Sequence, residues 1–329
     1  MYILAFETSC DDTSIALFNW PELITMSTAS QIKVHNKTGG VVPEIASREH
    51  ANAIFWVLED VLTDWKVSLE DIDYIWVTTT PGLIPSLLTG ITVARTLGNI
   101  YKIPVIDVNH IEAHIFSNFL EREESEIEFP LICLSVSGGH NDLFHMENMW
   151  SINRIGTTQD DAAWEAFDKV AKMMWLGYPG WPIISKLATE YDNLTPNPSP
   201  TRRGGLFPRS WLDKKEFWFS FSGLKSAVKR EVDKRWVLSQ ADKIEISYEF
   251  QEAVVEVLAG KLMIAADKHR VKTVMLTGWV SANDRLRELI SEKVAGSGYQ
   301  FLCPTKKVYC MDNAAMVGIN TYYKIKYKK

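Results

Sequence analysis

The chain has few cysteines: Cys10, Cys133, Cys303 and Cys310 are scattered through 329 residues, with no CxxC pair. That excludes a disulfide framework and reads as reduced thiols in a cytoplasmic protein. No apolar run of about 18 residues is present, so no transmembrane helix is expected. The opening "MYILAFETSCDDTS" lacks a basic n-region and soon turns acidic, so it does not read as a signal peptide. An excess of positive charge is missing too: 35 Lys and Arg against 41 Asp and Glu give a net charge of −6. A dedicated nucleic-acid binder is usually basic, so a nucleic-acid partner would need a local basic patch or a basic partner protein. Glycine is also scarce, with 18 residues where about 23 would be usual. Tryptophan, by contrast, is abundant, at 12.

What remains, 46% hydrophobic and 23% charged residues, describes an ordinary globular chain, long enough for one large or two medium domains. Strand and helix patterns alternate in the first half. "YILAFE" and "TSIALF" read as strands around the polar turn Thr8–Thr13. "EIASREHANAIFWVLEDVL" has helical spacing at Ile45, Ala53, Ile54, Val57, Leu58, Val61 and Leu62. A strand "YIWVTT", a helix "SLLTGITVARTLGNIY", a strand "PVIDV" and a helix "HIEAHIFSNFL" follow. Near residue 130 the pattern restarts with "LICLSVSGGHNDLF", strand–turn–strand around Gly138–Gly139. Helices are expected at about 162–174, 183–190, 224–237 and 244–268, then a strand "TVMLT", a helix from about 283, a strand near 300 and a terminal helix from Asp312. Two halves that open alike predict a duplicated α/β domain. The boundaries expected are 1–128 and 129–329, with the terminal helix from about 312 packing back on the first lobe. The Pro- and Gly-rich stretch 192–210 reads as a mobile surface insertion.

Four stretches carry residues suited to chemistry. In "NHIEAH", His110 and His114 sit at i and i+4, one face of a helix, a spacing that suits one divalent metal. Ile111 follows His110 directly, so the peptidase pattern H-E-x-x-H is not met. In "SVSGGH", Ser135, Val136, Ser137, Gly138 and Gly139 allow backbone N–H groups to approach a phosphate, or simply make a hairpin. Its counterpart "ETSCDD" carries Asp11 and Asp12, a pair that at a nucleotide site holds a cation or polarises a nucleophile, and elsewhere is a solvated turn. In "QDDAAWEAFDKVAK", Asp160, Asp161 and Glu165 suit the start of a helix, while Asp168 comes later than helix-dipole logic needs and is a candidate for a ligand hydroxyl. In "YCMDNAAMVG", Asp312 is either an N-cap or a third, carboxylate ligand.

Together these stretches, with "GGVVPEIASREH", "PGLIPSLLTG", "YPGWP", "FSFSGLKSAV" and "VSAND", resemble the tRNA adenosine threonylcarbamoyltransferase family of the TsaD/Gcp type. The resemblance spans nearly the whole chain. It implies an α/β, two-lobed, actin-like (sugar kinase/Hsp70-type) ATPase fold with a cleft between the lobes. It implies transfer of threonylcarbamoyl from threonylcarbamoyl-adenylate to N6 of the adenosine next to the anticodon of tRNAs reading ANN codons, giving t6A. One divalent metal, Fe2+ or Zn2+, is implied, with ATP or ADP as a further occupant of the cleft. The implied partners are tRNA, a paralogous dimer subunit and a small ATPase; none is a membrane. Residue by residue, His110, His114 and Asp312 match the metal ligands and Ser135 through Gly139 the phosphate loop. Asp168, Gly180 and Asn283 match contacts to the adenosine part, with Trp181 beside them. Asp11 and Asp12 match the acidic pair of the family's first turn, although the second position is more often Glu, and are the candidates for the base that the acceptor amine needs. The competing readings are a metallopeptidase, a catalytically impaired paralogue serving as a scaffold, and a small-molecule kinase. For tRNA, the basic candidates are Arg202, Arg203, Arg209 and the tail "YYKIKYKK".

The same resemblance implies a second glycine where "TGWVSAN" has Trp279, and glycine also at Trp164, Trp175 and Trp181. Two accounts are open: the four positions are glycines encoded by UGA in a genome that reads UGA as glycine, or the chain is a drifted paralogue with a blocked cleft. Trp181 and Trp279 are expected beside the nucleotide.

Overall fold

The computed structural model describes residues 1–191, 205–210, 212 and 216–327. Most of the insertion expected at 192–210, including Arg202 and Arg203, lies outside the described residues. Its last part is anchored: Phe207 is buried, and Arg209 pairs with Glu256 at 2.8 Å. The chain forms two compact units, Met1–Glu123 with Pro304–Lys329, and Glu124–Cys303.

The first unit is built on a five-stranded sheet. Its strands are β1 (Tyr2–Glu7), β2 (Asp12–Asn19), β3 (Glu22–Ser30), β4 (Ile72–Thr80) and β5 (Val105–Asn109), in the order β3-β2-β1-β4-β5. β1 runs antiparallel to β2 and parallel to β4. Five of the six residues of β1 are buried, which fits a central strand whose apolar run needs cover on both faces. The helices are α1 (Ile32–Thr38), α2 (Pro43–Thr63), α3 (Ile84–Tyr101), α4 (His110–Phe116) and, from the end of the chain, α10 (Ala314–Tyr327). Ile54, Val57, Leu58 and Val61 of α2 form one buried stripe that packs with Leu4, Phe6, Ile15, Leu17 and Val77 of the sheet. Each such side chain contributes about 1.5–3 kcal/mol by leaving water. α10 packs on β1 and α4.

The second unit repeats the plan. β6 (Leu131–Ser137), β7 (His140–Met146), β8 (Ile152–Gly156), β9 (Thr273–Thr277) and β10 (Gln300–Leu302) stand in the order β10-β9-β6-β7-β8. β6 pairs antiparallel with β7 and parallel with β9, as β1 does with β2 and β4. The helices described are α5 (Ala163–Met173), α6 (Gly180–Thr189), α7 (Ser222–Arg235), α8 (Gln240–His269) and α9 (Asp284–Val294). α8 starts in a capping box, Ser239 with Asp242, which satisfies orphan N–H groups at its first turn.

The expected elements near 40–110 and 130–146 appear close to where the periodicity puts them. β3, α1 and β8 were not foreseen. β3 is an edge strand of half-exposed residues, "ELITMSTAS", with no period-2 apolar pattern to betray it. The helix expected through Leu120 stops at Phe116 and continues as a 3-10 turn, Ser117–Phe119. No helix among the described residues is long and apolar enough to cross a membrane.

Candidate metal centre and nucleotide loops

The metal candidates come together in the first unit. Asn109 ends β5 and caps α4, accepting from the N–H groups of Ile111 and Glu112. That cap starts the helix at His110, so His110 and His114 project from one face with ring centroids 4.5 Å apart. Asp312 does not cap α10; Asn313 takes that role, its Oδ1 accepting from Met316 N–H at 3.0 Å. Asp312 is thereby released to meet the histidines: its Oδ1 lies 3.1 Å from His114 Nε2 and 3.6 Å from His110 Nε2. Ligand atoms of the three buried residues lie within 4.8 Å of one another.

A residue not assigned from the sequence completes the arrangement. Glu7, at the buried end of β1, places Oε2 3.2 Å from His110 Nδ1. It also accepts from Thr78 Oγ1 at 2.6 Å and, through Oε1, from Ser9 N–H at 2.7 Å. Ser9 Oγ lies 3.1 Å from the same Nδ1. The far nitrogen of His110 is therefore occupied, and Nε2 faces Asp312. A carboxylate behind a histidine fixes ring orientation and raises its basicity as a ligand. Two imidazoles and one carboxylate, with one imidazole braced from behind, fit a divalent ion that needs open positions for substrate. The signal in the sequence was a charged residue closing the apolar run "YILAFE".

Charge in this pocket is unusual. Burial opposes protonation of His110, but the carboxylates of Glu7 and Asp312 outweigh it and lift its pKa to about 9. Burial would raise Glu7, yet the charge of His110 pulls it below the usual carboxylate range. Burial, then the charge of His110, holds His114 low, so it stays neutral. Burial and the nearby Asp312 raise Asp11 to about 6. Asp12 is also pushed up, by burial and then by Asp11, and its Oδ1 is buried with no hydrogen-bond partner among the described residues.

Ser135 through Gly139 end β6 and turn into β7, with Ser137 paired to His140. Ser135, Val136 and Ser137 are buried, and the Ser135 hydroxyl has no hydrogen-bond partner among the described residues. Neither Gly138 nor Gly139 has a positive φ. What they provide is space: a Cβ on either meets nothing within 4 Å. Beside this turn, Gly278 follows β9 at φ +85. A Cβ there would lie 2.6 Å from Val136 O, so only glycine lets this loop close on β6.

Asp168, on α5, accepts from the N–H of Gly180 at 2.7 Å. Gly180 opens α6 so close to α5 that a Cβ would sit 2.5 Å from Phe167 O. Asn283 caps α9 through Oδ1. Its Nδ2 donates to Ser185 Oγ at 2.8 Å and Gln251 Oε1 at 2.9 Å. Asp160, expected in the first turn of a helix, lies before α5 instead and accepts from both hydroxyls of Ser220 and Ser222 and from the N–H groups of Phe221 and Ser222, which fixes the "FSFSG" turn. Three of the tryptophans gather here: Trp164 is 5.1 Å from Trp279 and 6.2 Å from Trp181, ring to ring. Trp175 stands apart, 88% exposed.

The basic residues considered for tRNA are mostly committed elsewhere. Arg209 pairs with Glu256, Lys324 pairs with Glu112 at 2.5 Å, and Lys326 lies over the Tyr322 ring. Lys328 and Lys329 lie outside the described residues.

The family model described as TsaD, tRNA N6-adenosine threonylcarbamoyltransferase, matches residues 22–319. A protein of that description from Syntrophomonas wolfei is 43% identical over 98% of this chain and 91% of its own. Another from Persephonella marina is 43% identical over 99% of this chain and 91% of its own. Among solved structures, the activator of 2-hydroxyisocaproyl-CoA dehydratase from Clostridium difficile, with bound ADPNP, aligns over 100% of this chain and 98% of that one. It has 13% identity and a TM-score of 0.52, a likeness of actin-like ATPase fold alone. With matched strand orders in its two units and relatives aligned from end to end, the chain belongs to the TsaD family of tRNA N6-adenosine threonylcarbamoyltransferases.

Proposed function

We propose that this chain transfers threonylcarbamoyl from threonylcarbamoyl-adenylate to N6 of the adenosine beside the anticodon of tRNAs reading ANN codons, in the cytoplasm. The observation that carries the site assignment is the buried convergence of His110, His114 and Asp312, braced by Glu7. These three residues would hold one Fe2+ or Zn2+, which would supply Lewis acidity for the acyl transfer. The substrate is a mixed anhydride and already activated, so the protein needs no strong nucleophile of its own. Ser135 through Gly139 hold the phosphate that leaves as AMP, or that of ATP or ADP, through backbone N–H groups. Asp168, Gly180 and Asn283 shape the wall on which the adenosine rests, Asp168 and Asn283 by pinning the N-termini of α6 and α9. Asp11, whose pKa burial and the nearby Asp312 raise to about 6, takes the proton given up by the acceptor amine, with Asp12 beside it. A base whose pKa lies near the working pH is the efficient choice.

The partners of this reading are tRNA, a paralogous subunit and a small ATPase. On the first unit Phe55 and Trp56 of α2 and Ile84 and Leu88 of α3 are large and exposed. Between the two helices lies an apolar depression of about 430 Å³, lined by Ala51, Ile54, Phe55, Pro85, Leu88 and Val93 among others. Such a face suits a helical partner surface. A peptidase reading finds no base: Glu112 is held by Lys324. The test is transfer of labelled threonylcarbamoyl onto tRNA with partner proteins and metal supplied. No product with the complete set, from a chain carrying full metal, overturns the proposal.

A further inference from the structure

We infer that positions 164, 175, 181, 236 and 279 are glycine in the protein made by its own cell, each encoded by UGA and read there as glycine. For ligand access at 164, 181 and 279 the inference rests on the nucleotide reading of the second unit; for 175 and 236 it rests on backbone alone.

Trp236 follows α7 at φ +59 and ψ −51. The N–H of Val237 donates to Arg235 O at 2.6 Å and closes a three-residue turn around it. A γ-turn with positive φ is rare and strained for any residue with a Cβ. The indole is 91% exposed, so no burial offsets that strain. Trp175 closes α5. Its N–H donates to Lys172 O at 3.2 Å and that of Leu176 to Ala171 O at 3.0 Å. This is the Schellman pattern, and Trp175, at φ +59, holds the position that glycine commonly fills. Lys66, Lys102 and Arg270 have the same sign of φ after α2, α3 and α8. A cation there interacts favourably with the helix C-terminus; an exposed indole gains nothing comparable.

The other three sit together. Trp164 and Trp181 come from the first turns of α5 and α6, and Trp279 from the 3-10 turn Trp279–Ala282. Element starts carry N–H groups with no partner inside the helix, and here three indoles cluster at such starts. Trp181 Nε1 is buried without a partner among the described residues, as are Ser281 Oγ and Ser135 Oγ in neighbouring segments. Leaving such groups unmet opposes folding. Trp181 and Trp279 each follow a glycine packed against backbone, Gly180 and Gly278. Glycine at all three positions turns this apolar plug into a hollow fringed by N–H and hydroxyl groups, the chemistry that takes a sugar phosphate. UGA is read as tryptophan under one genetic code and glycine under another, so one codon accounts for buried and exposed positions alike. The shortage of glycine and surplus of tryptophan, 18 against 12, follow from the same cause.

Two measurements test this. The gene is sequenced, and the protein purified from its native cells is read by peptide mass spectrometry. UGA at the five positions with glycine in the peptides is expected; UGG codons, or tryptophan in those peptides, overturn the inference. Second, AMP binding is compared by equilibrium dialysis between the chain as written and the chain carrying Trp164→Gly, Trp175→Gly, Trp181→Gly, Trp236→Gly and Trp279→Gly. Binding at least ~10-fold tighter in the five-glycine chain is expected. If the peptides carry glycine but AMP does not bind, the recoding stands and the nucleotide role of the hollow falls.

Discussion

In the first unit the turn after the central strand β1 leads to Asp11 and Asp12, and the pocket near it is polar, buried and almost fully bonded. In the second unit the matching turn after β6 carries two glycines with open space around them, and three indoles cluster on α5, α6 and the turn after β9. The strand orders are the same. On the proposed reading, one architecture thus supports two kinds of site: side chains suited to a cation, and backbone suited to an anion. The difference teaches where each is fragile. A side-chain site fails when one donor is removed. A backbone site fails when a side chain is added.

The largest expected effect breaks the first site. Asp312→Ala removes the carboxylate that both histidines face, leaving two imidazoles alone. Losing a ligand should exceed the roughly 10–100-fold seen when only a supporting partner is lost. Bound metal, read by elemental analysis, should fall from one per chain to almost none, and transfer activity by more than ~100-fold. Retained metal would show that Asp312 is not a ligand.

Next comes the brace. Glu7→Gln preserves shape and the bond from Thr78 but removes the charge behind His110. Metal affinity should drop roughly 10–100-fold. The metal-free protein adds a pH signature. His110, lifted to about 9 from its ordinary 6.5, contributes stability that is complete below pH 6.5 and lost as pH rises through 9. Glu7→Gln should flatten that decline in thermal midpoint. An unchanged slope would mean that Glu7 does not hold the proton on His110.

A smaller effect belongs to Asp11. Its pKa rises from 3.8 to about 6 in the folded chain, so its ionised form costs stability. That cost is absent below pH 3.8 and complete above pH 6. Asp11→Asn should raise the stability of metal-free protein at neutral pH by about 1–3 kcal/mol, and leave acid stability unchanged. The same variant should slow transfer, separating a functional cost from a structural gain. A variant no more stable at neutral pH would show that repulsion from Asp312 is already relieved.

Much of this was legible in the sequence because the relevant patterns are local. The i,i+4 spacing of His110 and His114 needs only one helix, and "SVSGGH" needs only one hairpin. Asp312 is legible as a candidate but not as a decision, since capping and ligation use the same carboxylate; Asn313 taking the cap removes the N-cap reading. Glu7 was not read because its partners, Thr78 and His110, come from β4 and α4, tens of residues away. Arg209 looked like a phosphate contact because its partner Glu256 is equally remote. Trp236 drew no notice because nothing in a sequence announces a φ of +59.

That last residue gives the smallest and cleanest test of the backbone half of the comparison. In a denaturant melt of the chain as written, Trp236→Gly should release the strain of a positive-φ γ-turn, of order 1–3 kcal/mol. Glycine's greater freedom in the unfolded chain takes back roughly 0.5–1 kcal/mol. The indole is 91% exposed, so almost no burial is lost, and the net gain should be about 1 kcal/mol. Trp236→Ala separates the causes. Alanine also removes the indole but keeps the Cβ that clashes in this turn, so it should gain nothing beyond a few tenths of a kcal/mol. Equal gains from both variants would point to the indole itself, not the backbone, as the source of the cost. A loss with glycine would mean that the turn is held by contacts of Trp236, and would weaken the case for glycine at this position.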